Sequence, residues 1–144
     1  MPLNAKPNAP TSFWIVAVLS LIWNLFGCYD YLMSQLSPAS YFASMGMGPE
    51  SNAYMANLPP WLTAFWALGV WGSLVGSLLL LARSRRAWLA FALSLLGLAV
   101  SQLTQALVLL PPEPAPMGLT IVIWSAVVFF VIYARSMAAN GVLR

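Results

Sequence analysis

The sequence contains no histidine and a single cysteine, Cys28. A bis-histidine haem, a zinc site of histidine and cysteine ligands, an iron–sulfur cluster and an internal disulfide are thereby excluded. Charge is nearly as scarce. Six lysines and arginines and three aspartates and glutamates make up 6% of 144 residues, where a soluble domain carries about a quarter. So few charges cannot solvate a water-soluble fold of this size, and they leave neither a disordered chain nor a nucleic-acid-binding surface. Catalytic groups are missing too: no nucleophile with a base beside it, no carboxylate dyad and no metal-ligand set can be assembled. No enzyme is expected, and no cofactor is implied.

What fills the chain instead is apolar, at 61% of residues. Long apolar runs occupy residues 11–33, 61–82, 87–110 and 117–134. At about 1.5 Å of helix per residue, even the shortest covers about 27 Å of a hydrocarbon core roughly 30 Å thick. A helix is the open-ended element whose backbone is satisfied in lipid, so the expected fold is an all-α membrane-spanning four-helix bundle over residues 11–136. Proline punctuates the runs. Pro10 stands before Thr11 and Ser12, which are placed to cap the first helix; Pro59 and Pro60 precede Trp61; Pro111, Pro112, Pro114 and Pro116 separate the third run from the fourth. The first run is longer than the apolar core of about 7 to 15 residues in a signal peptide, and no small-residue cleavage site follows it. It reads as a retained span.

Orientation follows from charge. Lys6, Arg83, Arg85, Arg86, Arg135 and Arg144 all fall in the tail 1–10, the turn between the second and third runs, and the end of the chain, with 137–144 read as a second tail. Asp30, Glu50 and Glu113 fall on the other side. By the positive-inside rule both termini and the arginine turn are cytoplasmic, and the uneven balance argues against insertion in both orientations. The segment 34–60 then faces outward. Its Tyr41, Phe42, Met45, Met47, Tyr54 and Met55, set among serine, glycine and proline, read as a hairpin on the membrane with room for two short interfacial helices. It is either a partner or lid surface or a simple connector.

Polar residues recur at helical spacing. Ser20, Asn24, Gly27 and Tyr31 share a face of the first helix, as do Ser94, Gly97, Ser101 and Thr104 on the third, with Gln105 beside them and Gln102 on the flank. The second helix carries Gly69, Gly72, Ser73, Gly76 and Ser77, small residues that admit a close neighbour. Asn24, Asp30, Tyr31, Trp66, Gln102 and Gln105 form the candidate ligand set, a pocket opening outward. The competing reading is that these side chains only hydrogen-bond between helices. Asp30 is the one ionisable residue within a run, but it stands near the helix end, within reach of headgroup water or a tyrosine. Cys28 reads as a small buried apolar residue, with no base to activate it. Trp14, Trp61 and Trp88 suit the membrane interfaces, whereas Trp23, Trp66, Trp71 and Trp124 lie deeper and need partners or a ligand. A faint repeat, Trp14 with Leu19-Ser20-Leu21 and Trp88 with Leu93-Ser94-Leu95, relates the two halves as parallel hairpins.

Trp23-Asn24 with Gly27 and Asp30-Tyr31, then Gly72 with Gly76-Ser77 and Leu78 to Leu81 before the arginine turn, then Phe91, Leu93-Ser94-Leu95, Gln102 and the closing Tyr133-Ala134-Arg135, form a recognisable combination. The chain resembles a widespread family of small four-helix bacterial inner-membrane proteins loosely labelled "sugar transporter". That resemblance covers most of the chain and implies a multi-pass protein of the bacterial inner membrane. The outer segment is where the likeness is least.

Two functions are open. The expected one is a non-enzymatic accessory or interaction subunit of a larger membrane assembly, with the fourth helix and outer hairpin as contact surfaces. The alternative is an oligomeric transporter or binder of a small neutral polar solute, sugar-like, with Asp30 carrying a proton. Expected partners are the bilayer and other membrane subunits or a second copy of the chain, not nucleic acid.

Overall fold

A computed structural model describes residues 8–144. The described residues form six helices: α1 (Thr11–Leu36), α2 (Pro38–Ser44), α3 (Pro49–Ala56), α4 (Pro60–Leu81), α5 (Ala87–Leu107) and α6 (Met117–Ala139). The four long ones, α1, α4, α5 and α6, are long and apolar enough to cross a membrane. The helices are thus the only regular elements among the described residues, and the chain is a multi-pass membrane protein.

Prolines set the starts. α2, α3 and α4 each carry proline in the first turn, where its missing N–H costs no hydrogen bond and its fixed φ suits the helix. Pro10 itself, extended at φ −67° and ψ 158°, caps α1 without a side-chain bond; Thr11 and Ser12 lie inside the helix rather than capping it. The ends depart from the apolar runs for physical reasons. α1 continues to Leu36, α5 stops at Leu107 ahead of the proline run, and α6 extends to Ala139 through Arg135 and Ser136. Hydropathy marks where lipid ends, but a helix continues as long as its backbone is satisfied. The segment 34–60 is mostly helical, with α2 and α3 bent across Met45 to Gly48 and Gly46 at φ +76°.

α4 and α5 are the central pair. α1 packs on α4, and α6 packs on α5. The four meet at the arginine end in a cluster of Phe13 and Ala17 from α1, Leu80 from α4, Ala87 and Phe91 from α5, and Phe130 and Ala134 from α6. There the rings of Phe13 and Tyr133 stack at 6.5 Å, and those of Phe91 and Phe130 at 5.4 Å.

Two helix terminations lock this end. At the end of α4 the Arg83 N–H bonds the Leu80 carbonyl and the Ser84 N–H the Leu79 carbonyl, with Arg83 at φ 55°. That is a Schellman motif with arginine where glycine is usual. At the end of α6 the Gly141 and Val142 N–H groups repeat the pattern onto Ala138 and Met137, with Gly141 at φ +77°. The two motifs are tied by backbone bonds, Arg144 N–H to the Arg83 carbonyl at 2.6 Å and Arg85 N–H to the Arg144 carbonyl at 2.9 Å. Arg83 Nε adds a bond to the Val142 carbonyl at 2.9 Å. Residues 137–144, expected as a tail, are therefore docked: Val142 and Leu143 are buried.

Candidate functional site

The sequence places six polar or aromatic residues as pocket candidates, and the structure gives each a neighbour. Asn24 is buried on α1 and faces α4. Its Nδ2 donates to the Ser77 hydroxyl at 2.7 Å and to the Ser73 carbonyl at 3.2 Å, and its Oδ1 accepts from the Ser73 hydroxyl at 2.8 Å. An amide with two donors and an acceptor engaged has little left for a solute. Cys28, one turn further, is buried with its Sγ 4.0 Å from the Val70 carbonyl.

Asp30 stands near the end of α1, where Tyr41 of α2 donates its hydroxyl proton to Oδ1 at 2.6 Å. This hydrogen bond, strengthened by burial and the carboxylate charge, pushes the Tyr41 phenol up to about 12. Tyr31 points to a different neighbour, its ring edge-on to Trp66 at 4.9 Å and to Trp71 at 6.3 Å. Such edge-to-face pairs are the favoured arrangement of aromatic quadrupoles.

The two glutamines are on the far side of the central pair. Gln102 Oε1 accepts from the Trp124 indole of α6 at 2.7 Å, which answers the need of a deep indole for a partner. Gln105 Nε2 donates to the Ser101 carbonyl at 3.2 Å, and its Oε1 lies 3.3 Å from the Tyr54 hydroxyl of α3. The single phenolic proton of Tyr54 goes to the closer Leu109 carbonyl at 2.5 Å. That carbonyl lies beyond the end of α5, where helix carbonyls lack internal partners. Burial raises the Tyr54 phenol above its usual value.

Of the six, only Tyr31 and Trp66 are joined to each other. Among the described residues no hydrogen bond links any two of the candidates, so their partners draw them into three separate contacts along the bundle: α1 to α4, α5 to α6, and the outer hairpin to its neighbours. The hairpin tyrosines, Tyr41 and Tyr54, are named by the sequence only as part of the outer segment, and a tyrosine is expected near Asp30, but the sequence does not say which one or what Tyr54 meets. Helical periodicity carries no register across a turn, so the pattern does not single out Tyr41 for Asp30 or bring Tyr54 to Leu109.

The small residues divide the same way. A Cβ on Gly97 would lie 2.5 Å from both the Gly69 nitrogen and the Phe65 carbonyl oxygen, and one on Gly69 would lie 3.2 Å from the Leu98 nitrogen. A Cβ on Gly72 would meet Ser94 backbone at 3.4 Å, and one on Gly76 the Phe91 ring at 2.8 Å. Ser94 donates to the Gly69 carbonyl at 2.5 Å, Ser101 is buried on its own helix with Oγ 3.3 Å from the Leu98 carbonyl, and Ser73 serves Asn24. These are the contacts of two helices whose backbones nearly touch, the association that lipid favours because packing rather than hydrophobicity drives it. Gly27 is different: a Cβ there would meet nothing within 4 Å, so it serves no close packing inside the chain.

The arrangement therefore binds helices to one another. At the opposite, arginine end the structure has an open pocket of about 400 Å³ lined by Arg85, Trp88, Arg135, Ala138 and Ala139. Compared with models of known families, with curated proteins and with solved structures, the chain finds no match in any of the three, and its functional reading rests on this geometry.

Proposed function

We propose that this chain is a non-enzymatic accessory subunit of a larger assembly in a bacterial inner membrane, with both termini and the arginine turn in the cytoplasm. One observation carries the reading. The buried polar side chains of the spans, Asn24 with Ser20, Ser34, Ser73, Ser77, Ser94 and Ser101, are all hydrogen-bonded inside the chain, while among the described residues the outer faces of α1 and α6 are left uncovered. Within an apolar 18-residue stretch of each span only 17% to 28% of the residues are buried, and Phe26 on α1 and Ile132 on α6 are 70% and 63% exposed. Lipid alone tolerates such faces; a subunit that docks uses them. The engaged amides weaken the solute-transport alternative, since Asn24 would have to surrender three hydrogen bonds to take a ligand.

The test is extraction of the full chain from native membranes in mild detergent, with a photocrosslinking residue at Phe26 or at Ile132. A second membrane protein recovered in fixed stoichiometry and crosslinked from one of these positions is the expected result. Recovery only as a homo-oligomer, crosslinked to itself, would overturn the accessory reading in favour of transport.

A further inference from the structure

The pocket at the arginine end is unlike the rest of the molecule. Two guanidinium groups line it, and the three acidic side chains, Asp30, Glu50 and Glu113, all belong to the opposite end. Arg135 rests over the Trp88 ring at 5.3 Å from its centre. This cation–π contact holds the planar group without using its N–H donors, and among the described residues the Arg135 side chain makes no hydrogen bond. Arg85 spends one donor, Nη2, on the Ala138 carbonyl at 3.3 Å. That bond fixes the side chain against α6 and leaves its remaining donors unspent, from a fork of five. Two like charges directed at one pocket repel each other unless an anion sits between them, and a fork of N–H donors matches the oxygens of a phosphate.

Position narrows the anion further. Arg85 precedes α5 and Arg135 lies in the last two turns of α6, beside the interfacial Trp88, so the pocket lies at the headgroup level of a bilayer these helices cross. One helical turn deeper stand Ala92 on α5 and Val131 on α6, both half-buried and apolar. They continue the Ala138 and Ala139 wall toward the hydrocarbon.

We propose that this pocket binds a phosphate group, that of an anionic phospholipid headgroup, with Arg85 and Arg135 donating to its oxygens and the Ala92 and Val131 surface receiving the start of an acyl chain. The inference goes beyond the accessory-subunit reading and does not depend on it.

The full chain, purified in detergent, is titrated with phosphatidylglycerol, with zwitterionic phosphatidylcholine and with inorganic phosphate, and bound species are counted by native mass spectrometry. One tightly held phosphatidylglycerol per chain is expected. Arg135→Gln should weaken it about fivefold, the worth of one basic contact to an anionic lipid surface. Arg85→Gln should act similarly, and the double variant should lose about twenty-fivefold. Arg86→Gln removes the same charge from the same turn but lies outside the pocket, and should change affinity less than about twofold. Thermal unfolding of the lipid-free protein accompanies each titration, because both side chains also tie α5 to α6, Arg85 through the Ala138 carbonyl and Arg135 over the Trp88 ring; loss of lipid with that melting temperature unchanged reads binding alone. Equal loss from Arg86→Gln, or equal retention of phosphatidylcholine, would overturn the site. Displacement of the lipid by inorganic phosphate at comparable concentration would overturn the lipid assignment and make free phosphate the occupant.

Discussion

Asn24 and Ser73 exchange hydrogen bonds across α1 and α4, the serine hydroxyl donating to the amide oxygen and the amide nitrogen donating to the serine carbonyl. With Ser77 accepting the second amide proton, this is the polar clasp that holds α1 to the central pair. Asn24→Leu removes all three bonds and should lower stability by about 2 kcal/mol, since interhelical bonds in membranes are individually worth roughly 0.6 kcal/mol and the serines must re-pair locally. Asn24→Asp should cost more, because a carboxylate oxygen then faces the Ser73 carbonyl. Both are read from reversible unfolding in mixed micelles. An Asn24→Leu protein as stable as the parent would show that the clasp contributes nothing.

Glycines on two faces of the bundle should respond in opposite ways. Gly97→Ala forces a methyl to 2.5 Å from two α4 backbone atoms. Backbone cannot swing aside as a side-chain tip can, so the helices must separate, at a cost of about 1–3 kcal/mol for overpacking. Gly27→Ala meets open space and should stay within about 0.5 kcal/mol of the parent. Parallel thermal melts of the two variants check this, and equal destabilisation would contradict the asymmetry.

Much of the architecture was legible because it depends on local pattern. The apolar runs located α1, α4, α5 and α6, the prolines the starts of α1, α4 and α6, and the small residues from Gly69 to Gly76 a face that admits a close neighbour. Helical spacing groups the polar candidates on shared faces, but periodicity does not say which neighbour each meets. Gln102 could go to an indole or a solute, and only the rotation of α6 decides for Trp124. Residues 137–144 misled for a different reason: Asn140-Gly141 signals a helix end, but the burial of Val142 and Leu143 depends on backbone pairing with Arg83 and Arg85, more than fifty residues away in the chain. The Arg83 left-handed turn is likewise unmarked, since arginine seldom takes the place of glycine.

The Tyr41 phenol offers a pH readout outside the membrane. Its hydrogen bond to Asp30 raises the folded value from 10 to about 12, so the folded state favours the protonated phenol. The stabilisation is fully present below pH 10 and is lost as pH rises from 10 to about 12. Ultraviolet titration of phenolate formation should show one tyrosine ionising later than the others, and Asp30→Asn should bring it back toward 10. A titration unchanged by Asp30→Asn would remove the pairing.

Tyr54 should anchor the outer hairpin. Tyr54→Phe keeps the ring but withdraws the proton from the Leu109 carbonyl, at a cost of about 1 kcal/mol. That loosens α3 more than the bundle, because opening energies are local and the clasp and the glycine packing are untouched. Amide exchange in residues 49–56 should speed roughly fivefold for 1 kcal/mol while α4 and α5 exchange as before. Uniform acceleration along the chain would place Tyr54 in global rather than local stability.

The arginine distribution makes a prediction about sidedness. Bringing α1, α4, α5 and α6 together puts Arg83, Arg85, Arg135 and Arg144 at one end of the bundle, joined by backbone bonds and the docked chain end, with Glu113 at the other, near Gly48. Translocating the arginine end means moving at least four guanidinium groups through hydrocarbon, each costing about 2.5–3.5 kcal/mol at the bilayer centre, whereas the opposite end moves three carboxylates in short, mostly apolar loops. In a Cys28→Ser background, Glu113→Cys should therefore react with a membrane-impermeant maleimide on intact cells, and Asn140→Cys only after the membrane is permeabilised. Both positions are exposed in the fold, so failure to label reports sidedness rather than burial. The reverse pattern would invert the topology and put the arginine pocket on the outer leaflet, and labelling of both sites on intact cells would mean that the chain inserts in two orientations.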